Sequence, residues 1–163
     1  MTAGMVELPV RKSIIVNASV EDAFDVFTSE VDTWWPRTHH IGKSPMQRVV
    51  IEGRAGGRCY TEQVDGTDAD WGRVLEWQPP RRLLFAWQIT HDWGYQPDLS
   101  KSSEVEVTFE AMAGERTRVE LEHRFFERHG VGGESMRASV DAPNGWTMIL
   151  TLFAERVSSR SAT

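Results

Sequence analysis

Between Glu104 and Arg124 the chain alternates apolar and polar residues twice, on either side of a tight connection. Val105, Val107 and Phe109 alternate with Glu104, Glu106, Thr108 and Glu110. After Gly114-Glu115, Thr117, Val119, Leu121 and His123 alternate with Arg118, Glu120, Glu122 and Arg124. A two-residue period belongs to a strand with one buried and one wet face. The two runs are predicted to pair as an antiparallel hairpin, with Glu and Arg meeting across strands on the wet face. The apolar face of such a sheet must be covered. The cover is legible near the C-terminus, where Trp146, Ile149, Leu150, Phe153 and Val157 recur at helical spacing. Asp141-Ala-Pro-Asn144 precedes them, with Pro near the first helical position.

The remaining elements fill in an order. Val10 to Val16 is short and β-rich, and reads as a first strand. Ser19-Val-Glu-Asp22 is a helix start with acids in the first turn, and Val20, Phe24, Phe27 and Val31 follow at helical spacing. Pro36, after Trp34-Trp35, stops regular helix. Strands are predicted over Met46 to Glu52, Arg58 to Val64, Ala69 to Gln78 and Arg82 to Ile89, with Asp65-Gly66 as a hairpin turn. A short helix is expected around Gly133 to Val140. Strands in succession closed by a long helix indicate an α+β fold with an antiparallel sheet, and the space under the helix is where a pocket can form.

At 163 residues the chain is the size of one domain, with a core over about residues 10–157. The ends, Met1 to Pro9 and Ser158 to Thr163, read as loose. The net charge of −6 argues against nucleic acid and against a polybasic membrane anchor. No apolar run approaches the length of a membrane span. The N-terminal stretch lacks the pattern of a secretory leader, so the cytoplasm is the expected compartment. The single cysteine, Cys59, excludes an internal disulfide and reads as a small buried residue in a strand. His39-His40, His91, His123 and His129 show no metal-ligand spacing, so no metal is expected, and with no phosphate loop and no Gly-x-Gly-x-x-Gly run no cofactor is expected either.

Seven tryptophans against two tyrosines is the compositional anomaly. Such an excess means either a bulky core or an aromatic-walled pocket. Trp77 reads as core packing. Trp87 is in phase with Leu83, Phe85 and Ile89, on the face where core and cavity wall meet. Trp34, Trp35, Trp71 and Trp93 fall in or beside polar loops, where aromatics gate or line a site. Trp146 opens the closing helix. His123 is in phase with the buried residues of its strand. It is either a hydrogen-bonded core residue or a polar group reaching into the pocket. Tyr60, Glu62 and Tyr95 complete the set of candidate cavity residues.

The stretches Gly56 to Glu62, Asp70-Trp-Gly-Arg-Val-Leu-Glu-Trp-Gln-Pro-Pro-Arg-Arg-Leu83 and Phe85-Ala-Trp-Gln-Ile89 resemble the heat-shock-protein-90 ATPase activator homologue family of the START-like (SRPBCC) superfamily. Ser103 to Phe109, Thr117 to His123 and Gly145-Trp146 continue the likeness in order. The resemblance spans about Val10 to Val157. It implies a helix-grip fold, with a curved antiparallel sheet of six to seven strands wrapped on a long C-terminal helix. Two short helices follow the first strand. It does not carry over the chaperone-activating role of the eukaryotic namesakes.

The expected function is a binding protein holding a small hydrophobic, aromatic or lipid-like ligand in a Trp-lined cavity. An enzyme of cyclase, hydrolase or isomerase type is the alternative, needing His123 and a carboxylate such as Glu62 in one pocket. A stress-linked or co-chaperone interaction protein is a third reading. A homodimer stays open.

Overall fold

The computed structural model describes residues 8–161. Its centre is a seven-stranded sheet, antiparallel throughout, in the spatial order β1-β7-β6-β5-β4-β3-β2. The strands are β1 (Val10–Val16), β2 (Met46–Ile51), β3 (Arg58–Gln63), β4 (Asp68–Gln78), β5 (Arg82–Trp87), β6 (Ser103–Met112) and β7 (Arg116–Arg124). Three α-helices join them: α1 (Val20–Thr28), α2 (Gly133–Asp141) and α3 (Met148–Ser161). The second short helix expected after β1 is a single 3₁₀ turn, Val31–Thr33. The fold is the curled antiparallel sheet and long C-terminal helix of the START-like helix grip.

The alternation of β6 and β7 determines which face is buried. Val105, Val107, Val119, Leu121 and His123 are fully buried, and Val105 stands opposite His123 in the register. On the other face Arg124 meets Glu106 at 3.0 Å and Glu122 at 3.1 Å, and Arg118 meets Glu110 at 3.3 Å. The sheet curls because register irregularities interrupt the β2–β3, β3–β4 and β4–β5 ladders.

Helix α1 starts at Ser19, whose hydroxyl accepts from the Asp22 amide. It buries Phe24 and Phe27 against the sheet and α3. The Phe27 ring centroid lies 5.2 Å from Phe153 and 5.8 Å from Phe109. Trp77 packs edge-on to Phe24 at 5.0 Å, as core packing requires. Every residue of the expected C-terminal stripe is buried. The helical register continues past Ser158, where a loose end is predicted, to Ser161. Arg160 ties this turn to Asp25 and Glu30. The other expected loose residues, 1–7 and 162–163, lie outside the described residues.

Gly72 and Gly145 are among the glycines that space dictates. A Cβ at Gly72 would stand 2.5 Å from the Ala86 carbonyl oxygen, because β4 and β5 run in close contact there. A Cβ at Gly145 would stand 2.2 Å from the Val140 carbonyl oxygen. Gly145 sits in the wide turn Pro143–Thr147 that joins α2 to α3, and the close approach seats Trp146 under the sheet.

Candidate functional site

The loop after α1 is held rigidly. Asp32 accepts from the Val49 amide at 3.0 Å and from Arg37 at 2.6 Å, fastening the loop to β2. Trp34 donates its indole N–H to the Val26 carbonyl at 2.7 Å, and its ring packs on Phe27 and Phe153. Trp34 is therefore core, not cavity. Trp35 donates to the His39 carbonyl at 2.8 Å and so shapes the turn carrying His39 and His40. The His39 Nε2 lies 2.8 Å from the Asn144 carbonyl oxygen. A carbonyl only accepts, so His39 donates from Nε2, and its Nδ1 accepts from the Thr38 hydroxyl at 3.0 Å. This bond joins the loop to the α2–α3 junction.

These elements enclose a cavity of about 500 Å³, a size that suits a compact organic ligand. Trp35, Trp87 and Trp146 wall it, and Trp93, 54% exposed, stands at its mouth. Trp93 has a left-handed backbone, φ 64°, at the tip of a turn closed by the Thr90 and Gly94 main chains. The polar lining comes from Thr38, His39, His40, Ser139 and Asn144. Ile41, Ile89, Val140 and Ile149 add apolar wall. The rings interlock: Trp87 lies 5.4 Å from Trp146, and Trp35 stacks on Trp71 at 5.4 Å with 19° between planes.

Behind this wall lies a buried hydrogen-bonded chain. Trp146 donates its indole N–H to His123 Nδ1 at 3.0 Å. An Nδ1 that accepts leaves the proton of a neutral imidazole on Nε2. That nitrogen faces the Ser103 hydroxyl at 2.7 Å, and the hydroxyl reaches His129 Nε2, also at 2.7 Å. Ser103 therefore accepts from His123 and donates to His129. Burial pushes the His123 pKa well below the ordinary value, with the nearby His129 adding to the effect. Burial lowers that of His129 as well, with His91 adding to it.

The sequence-predicted residues thus divide. Trp35, Trp87, Trp93 and Trp146 meet around one cavity. Trp71 is buried against Trp35 and does not line it. His123 points inward, as its phase implies, but stands behind Trp87 and Trp146 as a satisfied core residue. Tyr60 and Glu62 fall on the outer face of β3, because Cys59, Thr61 and Gln63 are its buried set. There Arg58 covers the Tyr60 ring at 4.1 Å and Arg48 holds Glu62 at 2.8 Å. Tyr95 is 40% exposed beside Ile89 and lies outside the lining. His123 and Glu62 therefore do not converge in one pocket. Thr38, Asn144 and Ser139 carry no sequence signal, and His39 and His40, which lack metal-ligand spacing, show only their nearness in sequence to Trp34-Trp35.

Among the described residues, the indole nitrogens of Trp71 and Trp87 and the Nδ1 of His40 are buried with no hydrogen-bond partner. Burial also pushes the Cys59 thiol pKa up, so Cys59 is an inert packing residue. Among the described residues no cluster of His, Cys, Asp and Glu could hold a metal ion, and no helix is long and apolar enough to cross a membrane.

The profile of the family described as Activator of Hsp90 ATPase homolog 1-like protein matches residues 17–158. Among solved structures, the anthrahydroquino-γ-pyrone synthase Txn09, determined as a complex, is 42% identical. The match covers 92% of this chain and 97% of that one, with a TM-score of 0.65. The self-sacrificing resistance protein CalC from Micromonospora echinospora is 27% identical over 95% and 97% of the two chains, with a TM-score of 0.66. The protein NE0264 from Nitrosomonas europaea shares the fold at 15% identity, covering 96% and 97%, with a TM-score of 0.67. No curated protein matches the chain.

Proposed function

The chain belongs to the Activator of Hsp90 ATPase homolog 1-like family, and on that footing we propose that its cavity holds a flat, oxygenated, fused-ring aromatic molecule. The observation that carries the reading is the wall itself. Trp35, Trp87 and Trp146 present large π surfaces around about 500 Å³, with polar groups confined to one loop and one helix junction. Flat aromatic ligands gain from offset and edge-to-face contacts with such rings. A few convergent polar groups then set their orientation. The 42% identity to a synthase of an anthrahydroquino-γ-pyrone supports a ligand of that shape.

A second reading, ring closure on the bound ligand, is favoured by the same relative and by the histidines at the cavity. Closing an oxygen ring requires a group that takes the hydroxyl proton and a donor for the oxygen that gains charge. His39 is committed to Thr38 and Asn144, whereas His40 Nδ1 has no partner among the described residues.

Titration of the intrinsic Trp fluorescence with hydroxylated anthraquinones tests the binding reading. Saturable quenching at one ligand per chain is expected. Absence of saturation across mono- to tetracyclic aromatics would overturn it. The catalytic reading is tested by mass spectrometry of an aryl 1,3-diketone bearing an ortho hydroxyl, incubated with the protein: the hydroxyl oxygen adds to the distal carbonyl and the resulting hemiketal loses water, so the product is lighter by one water. Accelerated appearance of the cyclised product is expected, and recovery of unchanged diketone would refute it.

A further inference from the structure

Four tryptophans bound the cavity, and their indole N–H groups are not equivalent. Trp146 spends its donor on His123 Nδ1, and Trp35 spends its own on the His39 carbonyl. Trp93 is 54% exposed and can donate to solvent. Trp87 is only 5% exposed, and its Nε1 has no partner among the described residues. A buried donor left without an acceptor is costly, so native interiors rarely keep one without reason. Its neighbours explain why none is supplied. The Trp87 ring is bounded by the rings of Trp71, His123 and Trp146. The only ring nitrogen among these that accepts, His123 Nδ1, is already taken by Trp146.

A second atom in the same lining is in a like state. His40 Nδ1 is buried without a partner among the described residues, on the cavity-lining loop that Trp35 and Asn144 hold through His39. An indole N–H can only donate. An imidazole nitrogen can accept a hydroxyl proton. Both side chains line one cavity, Trp87 from β5 with an unpaired donor and His40 from the loop after α1 with an acceptor-capable nitrogen, each nitrogen covered by the lining around it.

Building on the aromatic-ligand reading above, we propose that Trp87 Nε1 and His40 Nδ1 form the polar pair that selects the ligand: Trp87 donates to a ring carbonyl oxygen and His40 accepts from a ring hydroxyl. The substrate class this fits is a hydroxyquinone-type aromatic, which carries both groups on one flat skeleton. A hydrocarbon of equal size would fill the cavity yet leave both atoms unpaired. The discrimination comes from that penalty, because a site built to hydrogen-bond rejects an analogue that cannot.

Three probes and two variants test the pair. The probes are anthracene, anthraquinone and 1,8-dihydroxyanthraquinone, and the variants are Trp87→Phe and His40→Phe. Dissociation constants are measured by fluorescence or calorimetry, with folding of each variant checked by circular dichroism. Trp87→Phe keeps an aromatic ring and removes only the donor and some area. It is expected to weaken anthraquinone binding by about tenfold relative to its effect on anthracene, the share of one neutral hydrogen bond. His40→Phe is expected to weaken dihydroxyanthraquinone by a similar factor relative to anthraquinone. If Trp87→Phe does not fold, the His40 comparison decides, since His40 lies in a loop outside the sheet. Equal losses for all three probes would overturn the pair while leaving the aromatic cavity standing. Failure of all three probes to bind the unaltered protein would overturn both.

Discussion

Replacing His123 by Gln removes one proton-binding site from the core and keeps much of its hydrogen bonding. The amide oxygen can accept from Trp146, and the amide nitrogen can donate to Ser103. In the folded protein His123 is fully buried, ringed by Trp87, Phe126, Trp146 and Ser103, and its pKa is depressed by burial. The unfolded chain titrates near the ordinary value, about 6.5. Below that pH the unfolded state binds a proton that the folded state refuses, so stability falls as pH falls. The contribution is fully present above the unfolded pKa and is lost progressively below it. At pH 5.5, about one unit below the unfolded value, the loss attributable to His123 is on the order of 1 kcal/mol relative to alkaline pH. His129, lowered in the same direction, adds to the slope in both proteins. The carboxylates with lowered pKa values, such as Glu106 and Glu122, act in a lower window, from their unfolded values near 4.5 downward. Urea unfolding at alkaline pH and at pH 5.5 reads the effect. The unaltered protein should lose on the order of 1 kcal/mol more than His123→Gln over that interval. Equal losses would refute a neutral, buried His123 and with it the direction of the Trp146–His123–Ser103–His129 chain.

Phe153→Ala should cost about 3–5 kcal/mol in urea unfolding, because the ring is fully buried between Phe27 and Trp34; a cost under about 1 kcal/mol would mean that α3 does not close the core. Gly145→Ala forces its Cβ onto the Val140 carbonyl, so it should shift Trp146, abolish anthraquinone quenching and destabilise by about 1–3 kcal/mol. Unchanged quenching would show that the close approach does not seat the wall.

The parts of the fold legible in the sequence are those where periodicity and burial agree. β6 and β7 alternate cleanly, so their buried face, their outer Glu–Arg pairing and the inward direction of His123 all follow. The α3 stripe is equally plain. β3 is less plain, because its buried set, Cys59, Thr61 and Gln63, is uncharged but holds no large apolar residue, while the outer set includes Tyr60. Inside, the Gln63 amide nitrogen donates to Thr61 at 2.8 Å. With so weak a hydrophobic contrast, Tyr60 and Glu62 read as candidates for either face. The tryptophans divide for a different reason. Whether an indole is core or cavity wall depends on what lies across from it, and Trp34 and Trp35 are adjacent yet go separate ways. The role of His39 depends on a bond to Asn144, 105 residues away, which local pattern cannot show.

The indole N–H resonances of the seven tryptophans give the most direct test of the cavity, since each reports its own site. On titration of the nitrogen-15-labelled protein with 1,8-dihydroxyanthraquinone, the signals of Trp87, Trp35, Trp93 and Trp146 should move together and saturate. Those of Trp34, bound to the Val26 carbonyl, and of Trp77, packed on Phe24, should stay in place. Movement centred on Trp34 and Trp77, or no saturable movement of Trp87, would contradict a ligand held within the aromatic wall.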